Sequence, residues 1–304
     1  MTNVAQEIAI ESQHAAEAQA ASPADKGGGK KRNAVFGLAV GWLVFVVVLV
    51  GLGWIFGDSL PLLRDPKEIQ TDAVFAGPSW QYPFGNASFG EDIFSQVVAG
   101  GRISLRIAAI VTFLGIVIGG GMGLIAGYYR GVIDSLVRLV INVTLSVPAL
   151  LLVIFIVTIR SQSEKWVIIA LTLLAIPALA RIVRASTLQV ADREFVKAAE
   201  VVGVKRSKIL LREVLPNVMP TLISFAFLTT GIIIVVEGTL SFLGLSVEPP
   251  TITWGKIIAE GRIKFADTPH MVAMPGLIIF LTVLSLNFVG DQLLKRFDIR
   301  EASL

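Results

Sequence analysis

Residues Ala34–Phe56 read AVFGLAVGWLVFVVVLVGLGWIF, an apolar run with no charged side chain. At about 1.5 Å per residue, a helix of this length crosses the ~30 Å of hydrocarbon in a bilayer. The run exceeds the roughly 7–15-residue apolar region of a cleavable signal, so it reads as a first transmembrane span. Residues 1–33 before it are rich in Ala, Glu, Gln and Gly and end in Gly27-Gly28-Gly29-Lys30-Lys31-Arg32. Nothing there is apolar enough to pack, which predicts a disordered tail.

The same signal recurs along the chain. Ile107–Gly127, Leu139–Ile159, Trp166–Ile182, Val218–Leu240 and Met271–Val289 are further apolar blocks. Overall 54% of the residues are apolar and 16% charged, against about 25% charged in a soluble domain. The fold class expected is an all-α integral membrane protein with about six transmembrane helices. Six spans put both termini on one side. Placing them in the cytoplasm keeps most of the 26 Lys and Arg residues inside, four of them just before the first span. The expected layout is a cytoplasmic tail 1–33, a first span 34–56, an extracytoplasmic loop 57–106, a membrane core 107–292 and a cytoplasmic tail 293–304. The core carries an inner loop over 183–217 and an outer loop over 241–270.

Within the spans, Gly115, Gly119, Gly123 and Gly127 repeat every four residues, leaving a helix face without side chains that a second helix can approach. Pro148, Pro177 and Pro275 each remove a backbone hydrogen bond and permit a bend. The chain has no cysteine, and its histidines, His14 and His270, lie apart in a polar tail and a loop. No metal site and no thiol chemistry is expected. A net charge of +3 without a basic, aromatic-interleaved run gives no reason to expect a nucleic-acid partner.

The inner loop is the most informative segment. Asp192 can cap a helix that Gly203 ends, with Phe195, Ala198, Ala199 and Val202 on one face and Arg193, Lys197 and Glu200 on the other. A basic stretch, Lys205-Arg206-Ser207-Lys208, follows. Two readings fit these residues: a docking element whose small side chains admit a partner's surface, or an amphipathic helix drawn to the inner leaflet by Lys205, Arg206, Lys208 and Arg212.

Lys197-Ala198-Ala199-Glu200-Val201-Val202-Gly203, continuing to Val214-Leu215-Pro216-Asn217, resembles the EAA loop of importer permeases in the ATP-binding cassette family. The likeness extends to Tyr82-Pro83-Phe84-Gly85 with Gly90 and Asp92, Gly101-Arg102-Ile103-Ser104-Leu105, Glu237 through Leu245 with Pro249-Pro250 and Trp254-Gly255, and Pro275-Gly276-Leu277 with Asn287, Gly290-Asp291 and Asp298. In these details the chain is similar to the second permease of dipeptide and oligopeptide importers. The sequence departs from that pattern at Lys197, where the family has Glu, and over Asn86–Asp92, where a family Arg is lost.

The resemblance implies a type I importer permease architecture and decides for the docking reading. Phe195, Lys197, Ala198, Ala199, Glu200, Val202, Gly203 and Arg206 would then couple the chain to an ATPase. It further implies a second homologous permease in a heterodimer, two ATPase subunits and an extracytoplasmic solute-binding protein, besides membrane lipid. The chain has no Gly-x-x-x-x-Gly-Lys-Ser/Thr segment, so ATP and Mg would be bound by the partner subunits and this chain would carry no cofactor and no catalytic residue of its own. Peptides are the solute implied, with nickel complexes, glutathione and other small solutes carried by relatives.

Among polar groups near the spans, Glu237 with Ser241, and Asn142 with Ser146, suit either a translocation path or local hydrogen bonding. Tyr82, Phe84, Asp92 and Arg102 suit either a docking patch for a delivering protein or an interfacial belt. Two rival functions are an ion-coupled secondary transporter and a membrane-embedded enzyme. The first wants mid-membrane carboxylates, for which only Glu237 is a candidate; the second wants a His/Asp/Glu cluster that the spans do not offer.

Overall fold

The computed structural model describes residues 28–57, 63–70 and 74–301, with side chains over 33–57, 63–70 and 74–296. The expected disordered tail therefore falls almost wholly outside the described residues. The chain divides after Leu38 into a short N-terminal unit, helical where described, and a large unit from Ala39 onward, to which the contacts below belong.

Eleven α-helices follow one another among the described residues: α1 Gly28–Phe56, α2 Ile93–Leu114, α3 Gly121–Tyr129, α4 Gly131–Ser146, α5 Ala149–Arg160, α6 Glu164–Ala191, α7 Glu194–Val201, α8 Arg206–Ile209, α9 Leu215–Phe242, α10 Trp254–Gly261 and α11 His270–Glu301. A π-helical turn, Gly115–Gly120, joins α2 to α3, and another, Leu210–Val214, joins α8 to α9. Five helical segments are long and apolar enough to cross a membrane, and α4 with α5 makes a sixth if the bent pair is one span. An all-helical plan satisfies every backbone group within its own segment, which hydrocarbon demands.

Several boundaries differ from those read in the sequence. The segment 93–106, expected in an outer loop, is the first half of α2. It carries Ser95, Gln96 and Ser104, all buried against protein, and these polar residues hide the helix from a hydropathy reading. The expected single span Leu139–Ile159 is broken at Val147-Pro148 and bent by 80°; Val147 takes an extended conformation, as steric conflict with the following proline ring favours. The loop expected on the inner side over 183–217 shortens to the stretch between Ala191 and Arg206, because α6 and the segment leading into α9 both continue as helix. At the far end α11 runs through Glu301, well beyond the expected end of the core at 292.

The glycine face packs as its spacing predicts. A Cβ on Gly119 would lie 2.3 Å from the Ile176 carbonyl oxygen, one on Gly123 2.5 Å from that of Ala180, and one on Gly127 2.7 Å from Thr187 Cβ. The segment Gly115–Gly127 therefore touches α6 backbone to backbone, with Pro177 at the crossing. Two apolar clusters flank this seam. One surrounds Ile107, Val111, Leu171, Ile234, Leu240 and Trp254; the other gathers Leu124, Tyr128, Val183, Val190, Val196, Ile209, Val214 and Val218 where α3, α6, α7 and the start of α9 meet.

Substituting Gly119→Ala should lower the thermal midpoint of the detergent-purified chain by several degrees, for about 1–3 kcal/mol of overpacking. Gly121→Ala meets open space and should leave it unchanged; equal midpoints for the two variants would contradict the seam.

Candidate functional site

Helix α7 hangs between the ends of α6 and α8 and is held by one face only. Val196 is 1% exposed and, with half-buried Ala199, packs into the cluster of Leu124, Tyr128, Val190 and Ile209. Burying one valine side chain contributes about 1.5 kcal/mol or more. The opposite face is exposed among the described residues: Phe195 is 38% exposed, Val201 87% and Val202 81%, with Ala198 exposed between them. The expected apolar face is thus split, Ala199 turning inward while Phe195, Ala198 and Val202 stay outside.

The helix stops where Gly203 adopts φ +83°. The Gly203 N–H donates to the Glu200 carbonyl and the Val204 N–H to that of Ala199 at 3.1 Å, a Schellman ending that a Cβ at residue 203 would strain. Asp192 does not cap the helix as expected. Arg193 occupies the cap position, and the Asp192 carboxylate instead pairs with Arg130 at 2.7 Å, tying the end of α6 to the end of α3. Beside this pair, Tyr128, Tyr129, Lys197, Glu200 and Arg206 line a polar cavity of about 230 Å³, where the Tyr128 hydroxyl donates to Glu200 at 3.4 Å.

At the other end of α9, Glu237 is 1% exposed. Ser241 Oγ donates to its Oε1 at 2.7 Å, Ser246 Oγ to the same oxygen at 3.0 Å, and Ser104 Oγ to Oε2 at 3.1 Å. Ser241 also bonds Thr253, and Ser104 accepts from the Trp254 backbone N–H. Trp254 is itself fully buried and donates from its indole to the Val97 carbonyl at 2.8 Å. A Cβ on Gly255 would lie 2.4 Å from the Gly238 carbonyl oxygen, so α10 lies directly on α9. One carboxylate thereby joins α2, α9 and the segment leading into α10, with its lone pairs taken up by hydroxyls.

The other residues singled out from the sequence fall in separate places. Asn142 and Ser146 are exposed on α4; Asn142 accepts from Arg181 of α6 at 3.4 Å, and Ser146 donates to the Val143 carbonyl. Tyr82 and Asp92 are buried. The Tyr82 hydroxyl meets Arg64 and Gln70, while Asp92 caps α2 by accepting from the backbone N–H groups of Phe94 and Ser95. Phe84 is half-buried, edge-on to Phe94 at 5.1 Å. Arg102 is exposed, its guanidinium 4.8 Å from the ring centre of Trp54.

Three contacts that organise this arrangement escaped the sequence reading. Val196, the anchor of α7, sits among charged residues. Asp134 of α4 is buried and takes a bidentate grip from Arg184 of α6, with Arg138 at 3.3 Å; a charged pair in a bent span carries no periodic signal. Ser104, Ser246 and Thr253 surround Glu237 from distant parts of the chain.

Residues 115–302 match the family described as binding-protein-dependent transport system inner membrane component. The chain is 37% identical over 255 residues to glutathione transport system permease proteins GsiD of Escherichia coli O6:K15:H31 (strain 536 / UPEC) and of Shigella boydii serotype 4 (strain Sb227), covering 84% of this chain and of each relative. Among solved structures, an inward-facing form of the MetNI methionine ABC transporter superposes with a TM-score of 0.55 at 19% identity, over 66% of this chain and 96% of that one. A second crystal form gives 0.56 at 19% identity, over 67% and 97%. These structures share the fold of the helical core.

Removing the Glu237 side chain with Glu237→Ala would leave three buried hydroxyls without their acceptor and a void among them. A loss of about 2–4 kcal/mol is expected, read as a lower thermal midpoint of the purified chain. Glu237→Gln keeps the shape and one acceptor oxygen, and should cost less than half as much; identical midpoints for wild type and Glu237→Ala would contradict the node.

Proposed function

This chain belongs to the binding-protein-dependent transport system inner membrane components, and we propose that it lends such an importer a coupling surface formed by α7. It is a permease subunit of an ABC importer, a multi-pass inner-membrane protein of a class that works with ATPase and binding-protein partners. The observation that carries the coupling reading is the apolar face Phe195, Ala198, Val201 and Val202, exposed among the described residues on a helix fixed to the chain by Val196. Exposed valines cost free energy in water, and covering them against a cleft recovers about 1.5 kcal/mol each.

In this reading α7 and both termini face the cytoplasm, where two ATPase subunits bind ATP and Mg; this chain contributes no nucleotide site. Ala198 lets the ATPase surface come close to the helix backbone, and Gly203 turns the chain away at once. Lys197, Glu200 and Arg206 form the polar flank of the contact. A second, non-identical permease completes the pathway, and a solute-binding protein delivers cargo on the opposite side. The cargo is a short peptide, a class that includes the tripeptide glutathione named in the relatives. ATP-driven closure of the two ATPases pushes on α7 and tilts the helices it is seated on, exposing the pathway inward.

In the assembled transporter, Ala198→Trp should cut substrate-stimulated ATP hydrolysis by about tenfold or more, since a single buried steric conflict of about 1–3 kcal/mol reaches that size. Membrane yield of the variant should match wild type because residue 198 is exposed among the described residues. Full hydrolysis with Trp at this position would overturn the coupling assignment.

A further inference from the structure

At the end of the large unit opposite α7, a cavity of about 410 Å³ opens between α1, the 63–67 segment, α2 and the stretch Pro250–Ile252. Among the described residues its charged lining is Arg64, Lys67 and Arg102, with no carboxylate. Arg64 is oriented by neutral groups: its Nη1 donates to Tyr82 Oη at 2.8 Å and to Gln70 Oε1 at 3.3 Å, and the Tyr82 ring lies 4.5 Å away. Arg102 is steadied over Trp54 and has no ion-pair partner among the described residues. Asp65 and Glu68, the acids next to Arg64 and Lys67 in sequence, do not line the cavity, and Asp65 accepts from the Lys67 backbone N–H. Three cationic side chains thus line one cavity, and among the described residues none of them forms an ion pair.

The rest of the wall is apolar: Val50, Gly53, Val98, Ile103 and Ile252, with the indole of Trp54 at the rim. Trp54 stands in the last turn of the first apolar span, the depth at which tryptophan marks the boundary between hydrocarbon and headgroups. A cationic rim above an apolar wall at that depth suits a ligand that is an anion at one end and hydrocarbon at the other.

We propose that this cavity binds the phosphate headgroup of an anionic phospholipid, with Arg64, Lys67 and Arg102 around the phosphate and the upper acyl chain against Val98, Ile103 and Ile252. Free inorganic phosphate shares the charge chemistry but makes no use of the apolar wall. The site is independent of the coupling role of α7.

The test is native mass spectrometry of the purified full chain, titrated with phosphatidylglycerol or phosphatidylcholine at equal ionic strength. Wild type should retain phosphatidylglycerol about tenfold or more over phosphatidylcholine, and Lys67→Gln with Arg102→Gln should abolish that preference, as expected for the loss of two membrane-level cations. Arg262→Gln, which removes a cation outside the cavity, should keep it, and unchanged thermal midpoints show that all variants are folded. Equal retention of the two lipids, a double variant that still prefers phosphatidylglycerol, or displacement of the lipid by millimolar phosphate but not by chloride would each overturn the proposal.

Discussion

The bare approach of Gly119, Gly123 and Gly127 to the backbone of α6 sets the geometry of the helical core around α3, α6 and α7. In hydrocarbon no hydrophobic force draws two helices together, so close contact between small residues has to supply the attraction. Here the contact runs the length of α3, and it brings the ends of α3 and α6 together at the Arg130–Asp192 ion pair. The second apolar cluster is built on that junction. Helix α7 is seated on the cluster, so its position follows from glycines more than sixty residues earlier in the chain.

The two ends of the molecule are joined by the same rigid elements. Helix α9 begins in the cluster beneath α7 and ends at Glu237, where hydroxyls from α2 and from the segments before α10 close around one carboxylate. In the proposed coupling, a push delivered at α7 would reach α6 and α9 through the packed side chains of that cluster. In that coupling Glu237 would pass it on, because two of the hydroxyls it accepts from, those of Ser104 and Ser246, belong to neighbouring segments that have to move with it. On the flank, Arg184 holds α4 through Asp134, so the bent pair travels with α6.

The apolar blocks announced six spans, of which five are continuous and the one at Leu139–Ile159 is a bent pair, since hydropathy measures transfer into lipid but not where a helix breaks. The same measure could not show where helices continue past the lipid. The first half of α2 is helical yet polar, because Ser95, Gln96 and Ser104 face protein. Glycine spacing marked the face on which a second helix packs closely, as a four-residue period lies on one helix face, while the identity of that partner, α6, came from the fold. Helix α7 was legible in its existence and its Gly203 ending, because local backbone chemistry sets both. Its orientation was not: Val196, rather than the stripe through Phe195 and Ala198, faces inward, and that choice is made by Tyr128, Val190 and Ile209 from three other segments. The surroundings of Glu237 were hidden for the same reason, its partners lying as far away as residue 104.

The central claim is that the outer face of α7 is covered by a nucleotide-hydrolysing neighbour, and the absence of native cysteine makes it directly measurable. A single Val202→Cys variant is labelled with a water-soluble maleimide, first as the isolated chain and then in the assembled transporter, with Val132→Cys on the exposed face of α4 measured alongside. The account predicts rapid labelling of residue 202 in the isolated chain and strong protection once the ATPase subunits are bound, beyond any change at residue 132. Labelling of residue 202 at the same rate with and without those subunits would contradict it.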